Sequence, residues 1–175
     1  CSDSRVAVNV FASTNPGDLF VVRNVGNMIP PCGENGLSVA DESEAAAIEF
    51  ALNVLHVSDI IVCGHSECGA MQALVKGRET VESPNLKAWL RHGEDSLRLL
   101  KGNDHNHLSQ LNVVRQMQNL MTYPGVKKQV EDGKLRLHGW WFELKKAEVY
   151  NYDKHREEFV TIDDKESARI MSELK

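Results

Sequence analysis

The run IIVC (60–63), inside SDIIVCG (58–64), offers no polar residue at alternate positions to face water. A strand exposed on one side alternates polar with apolar, so this run is expected where both faces are covered, as in a parallel sheet between helices. DLFVVRNV (18–25), rich in β-branched and aromatic residues, reads as a second buried strand. GNMIPPCGENG (26–36), with two prolines and three glycines, must be loop. Asp41 and Glu44 resemble a capping box opening a helix through AAAIEFALNVL, with Ala47, Phe50, Ala51, Val54 and Leu55 on one face. A further helix is expected from about Glu67 to Lys76.

Alternating strand and helix in this way predicts an α/β fold with a mostly parallel central sheet flanked by helices. Two more helices are expected over 85–100 and 108–121, then a short one opened by Pro124 and closed by Gly133. Residues 134–144 and 147–152, joined by a polar turn at Lys145 and Lys146, read as a C-terminal antiparallel hairpin. Residues 153–175 are charged and read as a surface helix or C-terminal tail. No repeat or linker divides the chain, so 1–175 is expected to be a single domain.

The 25 acidic and 20 basic residues give a formal net charge of −5, which argues against nucleic acid as a partner. No apolar run is long enough for a membrane span. Cys1, Cys32, Cys63 and Cys68 are too few for a disulfide scaffold and point to a reducing, cytoplasmic setting.

Chemistry concentrates at two places. HSEC (65–68) follows the strand 58–64, where α/β sheets gather their ligands, and His65 and Cys68 are spaced to share one metal ion. CSDSR at the start adds the soft donor Cys1 and the hard donor Asp3, with Arg5 placed to hold that carboxylate through two hydrogen bonds. Cys1, His65 and Cys68 form a two-sulphur, one-nitrogen set that suits Zn2+, with Asp3 near the fourth position. A structural zinc is closed by four ligands and a catalytic one keeps a place open. The count leaves both readings standing, and Arg5 favours the open one because it can draw Asp3 away. Backbone N–H groups at the helix start near Gly69 are candidates to bind an oxygen of an anionic product.

C-x-D-S-R followed some 60 residues later by H-x-x-C-G resembles the signature of the β-class carbonic anhydrases. VVRNVGNMIPP, EAAAIEFALNVL, IIVCGHSECGAM and LHGWWFEL are similar to that family's segments in the same order, over roughly residues 1–152. The GENG loop and AAAIEFAL look more like the plant and cyanobacterial branch. The resemblance implies a zinc lyase that hydrates CO2 to bicarbonate and works as a homodimer or higher homo-oligomer. It implies Cys1, His65 and Cys68 as zinc ligands, and Asp3 and Arg5 as a catalytic dyad. It also implies a strand and a helical arm ahead of the first cysteine, neither of which this sequence includes, so either it is a fragment or its numbering starts late. Some bacterial members have an inhibitory bicarbonate pocket built partly from a tyrosine, matched here by Phe142, which cannot hydrogen-bond an anion. Arg23 resembles that pocket's arginine and is expected to be structural.

Two other readings match parts of the sequence. A zinc deaminase shares H-x-E at His65 and Glu67 but needs P-C-x-x-C, and Pro31–Cys32 is followed by GEN. A catalytically silent homologue, serving as an assembly or scaffold component in a carbon-fixing microcompartment, would not need Asp3 and Arg5. Cys63 is expected in the core, Cys32 in a loop, and His56, His92, His105, His107, His138 and His155 at the surface or in local hydrogen bonds.

Overall fold

The computed structural model describes residues 1–40 and 42–173. After a short helix α1 (Val8–Phe11) come α2 (Ser43–Asn53), β1 (Asp59–His65) and α3 (Gly69–Lys76). Helices α4 (Pro84–Trp89), α5 (Glu94–Leu99), α6 (His105–Leu120) and α7 (Pro124–Glu131) follow. Strands β2 (Arg136–Glu143), β3 (Glu148–Asp153) and β4 (Glu158–Thr161) and helix α8 (Asp164–Glu173) complete the chain. The sheet runs β1-β2-β3-β4, with β1 and β2 parallel and the remaining pairs antiparallel. This is the α/β architecture the sequence predicts, in a mixed sheet. The hairpin forms as expected, with Glu143 opposite Glu148.

Helix α6 lies on the sheet and divides the interior into two clusters. Val113, Met117 and Leu120 pack with Val62, Leu137 and α7's Val126. Leu108 packs with Met28, Met71, Leu74 and Leu90 on the other side. The close approach has a simple cause. A Cβ on Gly64 would stand 2.6 Å from Val113 Cγ2, and one on Gly139 would stand 2.7 Å from Met117 Sδ. These two glycines, in adjacent strands, leave the hollow into which α6 settles.

The structure departs from the sequence reading at several elements. Residues 18–25 form no strand: they have no paired edge among the described residues, and Leu19, Phe20, Val21 and Val22 stand exposed. A groove of about 690 Å³ separates this segment from the open edge of β1, lined by Val21, Val22, Ile61, Cys63 and Trp140. Of the apolar face expected on α2, Phe50, Val54 and Leu55 are exposed, while Ala45, Ala51 and Leu52 are buried. That helix carries apolar residues on two sides, and α7 and the core cover one of them. Asp41, and with it the expected capping box, lies outside the described residues; Glu44 accepts a hydrogen bond from Asn24 Nδ2.

The expected helix 85–100 is broken by a 3₁₀ turn at Leu90–Gly93, where Leu74 and Met28 press against Gly93. Residues after 152 include the expected helix, α8, and a strand, β4, that the composition did not predict. β4 extends the sheet, and α8 is tied to β3 by Arg169, which pairs with Asp153 and Glu166.

Gly139→Ala should destabilise the fold by about 1–3 kcal/mol, because the added methyl must displace Met117 and Val113 from a packed interior. Urea denaturation of the variant against the parent measures this, and an unchanged midpoint would contradict the close packing.

Candidate metal centre

Strand β1 ends at His65, and the chain then turns sharply through Ser66 and Glu67 before α3 begins. Glu67 takes a left-handed conformation with φ 55°, which delays the helix to Gly69 instead of the expected Glu67 and makes Cys68 its N-cap. His65 and Cys68 therefore face the same space rather than following one helical face. Cys1 is brought beside them by main-chain bonds. Its nitrogen donates to Cys63 O at 3.4 Å, and Ser2 N donates to Asn24 O at 2.8 Å.

The three donor atoms of Cys1, His65 and Cys68 all lie within 4.8 Å of one another, and the two sulphurs are 4.0 Å apart. A tetrahedral centre with ~2.3 Å bonds to sulphur needs its sulphurs roughly 3.8 Å apart, so the pair is set for one ion. The histidine makes the stronger test. Its ring is wholly buried, and Nδ1 lies 2.8 Å from Ser66 O. A carbonyl only accepts, so Nδ1 carries the proton and Nε2 presents a lone pair. Nε2 is buried with no hydrogen-bond partner among the described residues. A buried lone pair left idle is costly, unless it faces an electrophile.

Burial pushes the Cys68 thiol up and the His65 imidazole down, so desolvation keeps both neutral. Against that, N–H groups of Ala70 and Met71 at the start of α3 favour the Cys68 thiolate, and Gly26 N–H donates to Cys1 Sγ at 3.3 Å. A cation would complete what these donors begin.

Asp3 is held by Arg5 through Nε to Oδ1 at 2.9 Å and a second nitrogen to Oδ2 at 2.6 Å. The Arg5 main-chain N–H adds a bond to Oδ1 at 3.0 Å. The guanidinium keeps the Asp3 carboxyl well below the usual carboxylate range. The same guanidinium donates to Glu67 O at 3.1 Å, which ties Asp3 to the His65–Cys68 turn.

All five residues singled out in the first sequence segment and in HSEC thus meet at one place. Gly69 is exposed at the first position of α3, with open space where a side chain would stand. Several supports reach the site from outside the two signatures, and apart from Arg23 sequence reasoning missed them. Arg23 donates to the carbonyls of Cys1 and Asp3 at 2.7–3.1 Å, fixing the backbone that carries two functional side chains. That is the structural role expected of it. Ser109 Oγ donates to His65 O at 2.8 Å and accepts from Trp141 Nε1. Phe142 stacks on Phe11 at 4.9 Å between ring centroids. None of these partnerships has a sequence signal, because each joins residues far apart in the chain.

A family profile described as carbonic anhydrase matches residues 1–149. A carbonic anhydrase from a Synechocystis strain is 42% identical over 91% of this chain and 60% of its own length. One from Synechococcus elongatus is 37% identical over 94% of this chain and 62% of its own. The chain thus spans about three fifths of the length of these two relatives. Among solved structures, the β-carbonic anhydrase CcaA superposes with a TM-score of 0.85 at 41% identity, covering 92% of this chain and 80% of that one. A β-carbonic anhydrase of Sordaria macrospora, described as tetrameric, gives 0.67 at 28% identity over 86% of this chain and 76% of its own. With the profile running from Cys1 past the HSEC turn and through β2, the chain belongs to the β-carbonic anhydrase family.

Proposed function

We propose that this chain is a zinc-dependent carbonic anhydrase, catalysing reversible hydration of CO2 to bicarbonate and a proton. The observation that carries the reading is the buried, unpartnered Nε2 of His65 facing two thiols, beside an aspartate that an arginine already occupies. Cys1, His65 and Cys68 would hold the metal. Zinc, when bound, supplies a Lewis acid that brings the ionisation of water toward neutral pH.

The chain's own groups do the rest. Arg5 engages both oxygens of Asp3, fixes its orientation and stops it serving as a fourth ligand. The remaining lone pairs of Asp3 are then free to accept a hydrogen bond from the attacking water and to orient it. The exposed N–H of Gly69, at the positive end of α3, is a donor for an oxygen of bicarbonate. Residues 1–175 would act as one catalytic domain.

A second copy of the chain is the partner we assign. Leu19, Phe20, Val21, Val22, Phe50, Val54 and Leu55 are all exposed, and the rings of Phe20 and Phe50 lie 5.7 Å apart. A contiguous apolar face of this kind is the mark of an interface. Among the described residues no helix is long and apolar enough to cross a membrane. All four cysteines are free thiols, which supports a reducing compartment such as the cytoplasm.

Purified protein should contain about one zinc per chain, and Cys68→Ser should lose most of it along with CO2 hydration, since a hydroxyl is a poor substitute for a thiolate. Metal analysis with stopped-flow hydration decides this, and a normal zinc content in the variant would refute the ligand set. Arg5→Ala should keep its zinc and lose activity by about tenfold to a hundredfold across roughly pH 6.5 to 9. The sign follows from Asp3. Its folded pKa is depressed, so the stabilisation from Arg5 is present above the ordinary carboxylate range and fades only as pH falls through the folded value. Without Arg5 the carboxyl returns toward about 4, still ionised in that window, so the loss reports its position and not its charge. Near-parental rates would refute the dyad. In sedimentation velocity the active protein should run as a dimer or larger, and a fully active monomer would refute the assigned interface.

A further inference from the structure

The turn between His65 and Cys68 is held from outside by a residue that neither signature contains. Asn106 sits in the first turn of α6, its own N–H bonded to the N-cap Asp104 Oδ1 at 2.8 Å. Its side chain makes two bonds to one residue. Asn106 Oδ1 accepts from Glu67 N–H at 2.7 Å, and Asn106 Nδ2 donates to Glu67 Oε1 at 3.2 Å. Glu67 is left-handed with φ 55°, a region that any residue with a Cβ avoids without outside support.

The consequence lies in the two peptide groups that flank Glu67. The Ser66–Glu67 peptide gives its N–H to Asn106 and its carbonyl to His65 Nδ1. The next peptide gives the Glu67 carbonyl to Arg5, the residue that holds Asp3. One side chain on α6 therefore sets the orientation of both the histidine ring and the arginine. His105 Nε2 stands 3.4 Å from Glu67 Oε2 as a further neighbour on the same helix turn.

We propose that Asn106 is a positioning residue for the metal centre: by pinning Glu67 in its left-handed conformation, it aims the Ser66 carbonyl at His65 and the Glu67 carbonyl at Arg5. The inference rests on the reading of Asp3 and Arg5 as the catalytic pair and of His65 as a ligand. It assigns no chemistry to Asn106 itself, which touches neither metal nor substrate.

Three variants test it. Asn106→Ala removes both bonds. Asn106→Asp keeps the acceptor for Glu67 N–H and suits a helix's first turn, but sets two carboxylates against each other. Adding Glu67→Gln to Asn106→Asp restores the side-chain bond with donor and acceptor exchanged, while the bond from the residue 67 N–H is kept throughout. The readouts are the zinc dissociation constant by chelator competition, CO2 hydration at saturating zinc, and hydrogen exchange at Arg5 Nε in the metal-free protein by NMR. Asn106→Ala and Asn106→Asp should each weaken zinc binding by about tenfold, the usual scale for outer partners of a metal ligand, and speed Arg5 Nε–H exchange. The double variant should return both quantities to within about threefold of the parent.

If Asn106→Ala does not fold, the comparison of Asn106→Asp with the double variant carries the test unaided. Unchanged affinity and exchange in the single variants would overturn the proposal, as would a double variant no better than Asn106→Asp. Arg5→Ala separates the two levels. Loss of activity there with unaffected Asn106 variants removes only the positioning role. Full activity in Arg5→Ala removes the catalytic pair itself, and the arginine arm of this inference with it.

Discussion

Helix α6 reaches the sheet across two missing side chains, and the candidate metal centre is arranged around that contact. Gly64 in β1 and Gly139 in β2 let Val113 and Met117 seat directly on backbone. One end of the helix then places Ser109 under the His65 carbonyl and Asn106 against Glu67. The middle of the helix carries Asn112 and Gln116, both fully buried, which fix the loop on the other side of the site. Asn112 Nδ2 donates to Gly26 O and Gln116 Oε1 accepts from Ile29 N. Gly26 in turn offers its N–H to Cys1 Sγ. A single helix thus braces candidate ligands that come from two distant segments, and it does so with buried amides whose bonds are all directional.

The electrostatics of the site oppose one another in a useful way. Burial disfavours charge on Cys68 and His65, while N–H donors and the nearby arginine favour the anionic forms of Cys68 and Asp3. A site of this kind is poised for a cation without being strongly anionic in its absence. Beside two thiols and an imidazole, Asp3 has both carboxylate oxygens already engaged by Arg5. The edge of β1 and the exposed segment 18–25 border the same region through Cys63, Arg23 and Asn24, so the apolar groove and the candidate metal centre share a wall at Cys1. Whatever covers that groove also sets the surroundings of Cys1.

Local chemistry was legible where it depends on neighbours in sequence. The run 58–64 became β1, Pro124 and Gly133 bracketed α7, and the hairpin formed around Lys145 and Lys146. The two signatures, CSDSR and HSEC, came together within 4.8 Å at Cys1, His65 and Cys68, as their donor types implied. Residues 18–25 show the limit of such reading. Their composition favours a strand, but a strand also needs a paired edge, and none lies beside them among the described residues. Phe50, Val54 and Leu55 show it again: helical spacing states which residues share a face, not whether anything covers that face.

The sequence by itself determined the donor set, the fold class and the elements whose signals are local, because propensity, capping and ligand type are properties of short segments. Tertiary structure decided the rest. It alone left His65 Nε2 without a partner among the described residues, turned Glu67 left-handed under Asn106, and committed Arg5 to Asp3 and Arg23 to the backbone of Cys1. Each of those depends on a distance between residues far apart in the chain, and such distances are fixed only when α6 packs into its glycine-lined hollow.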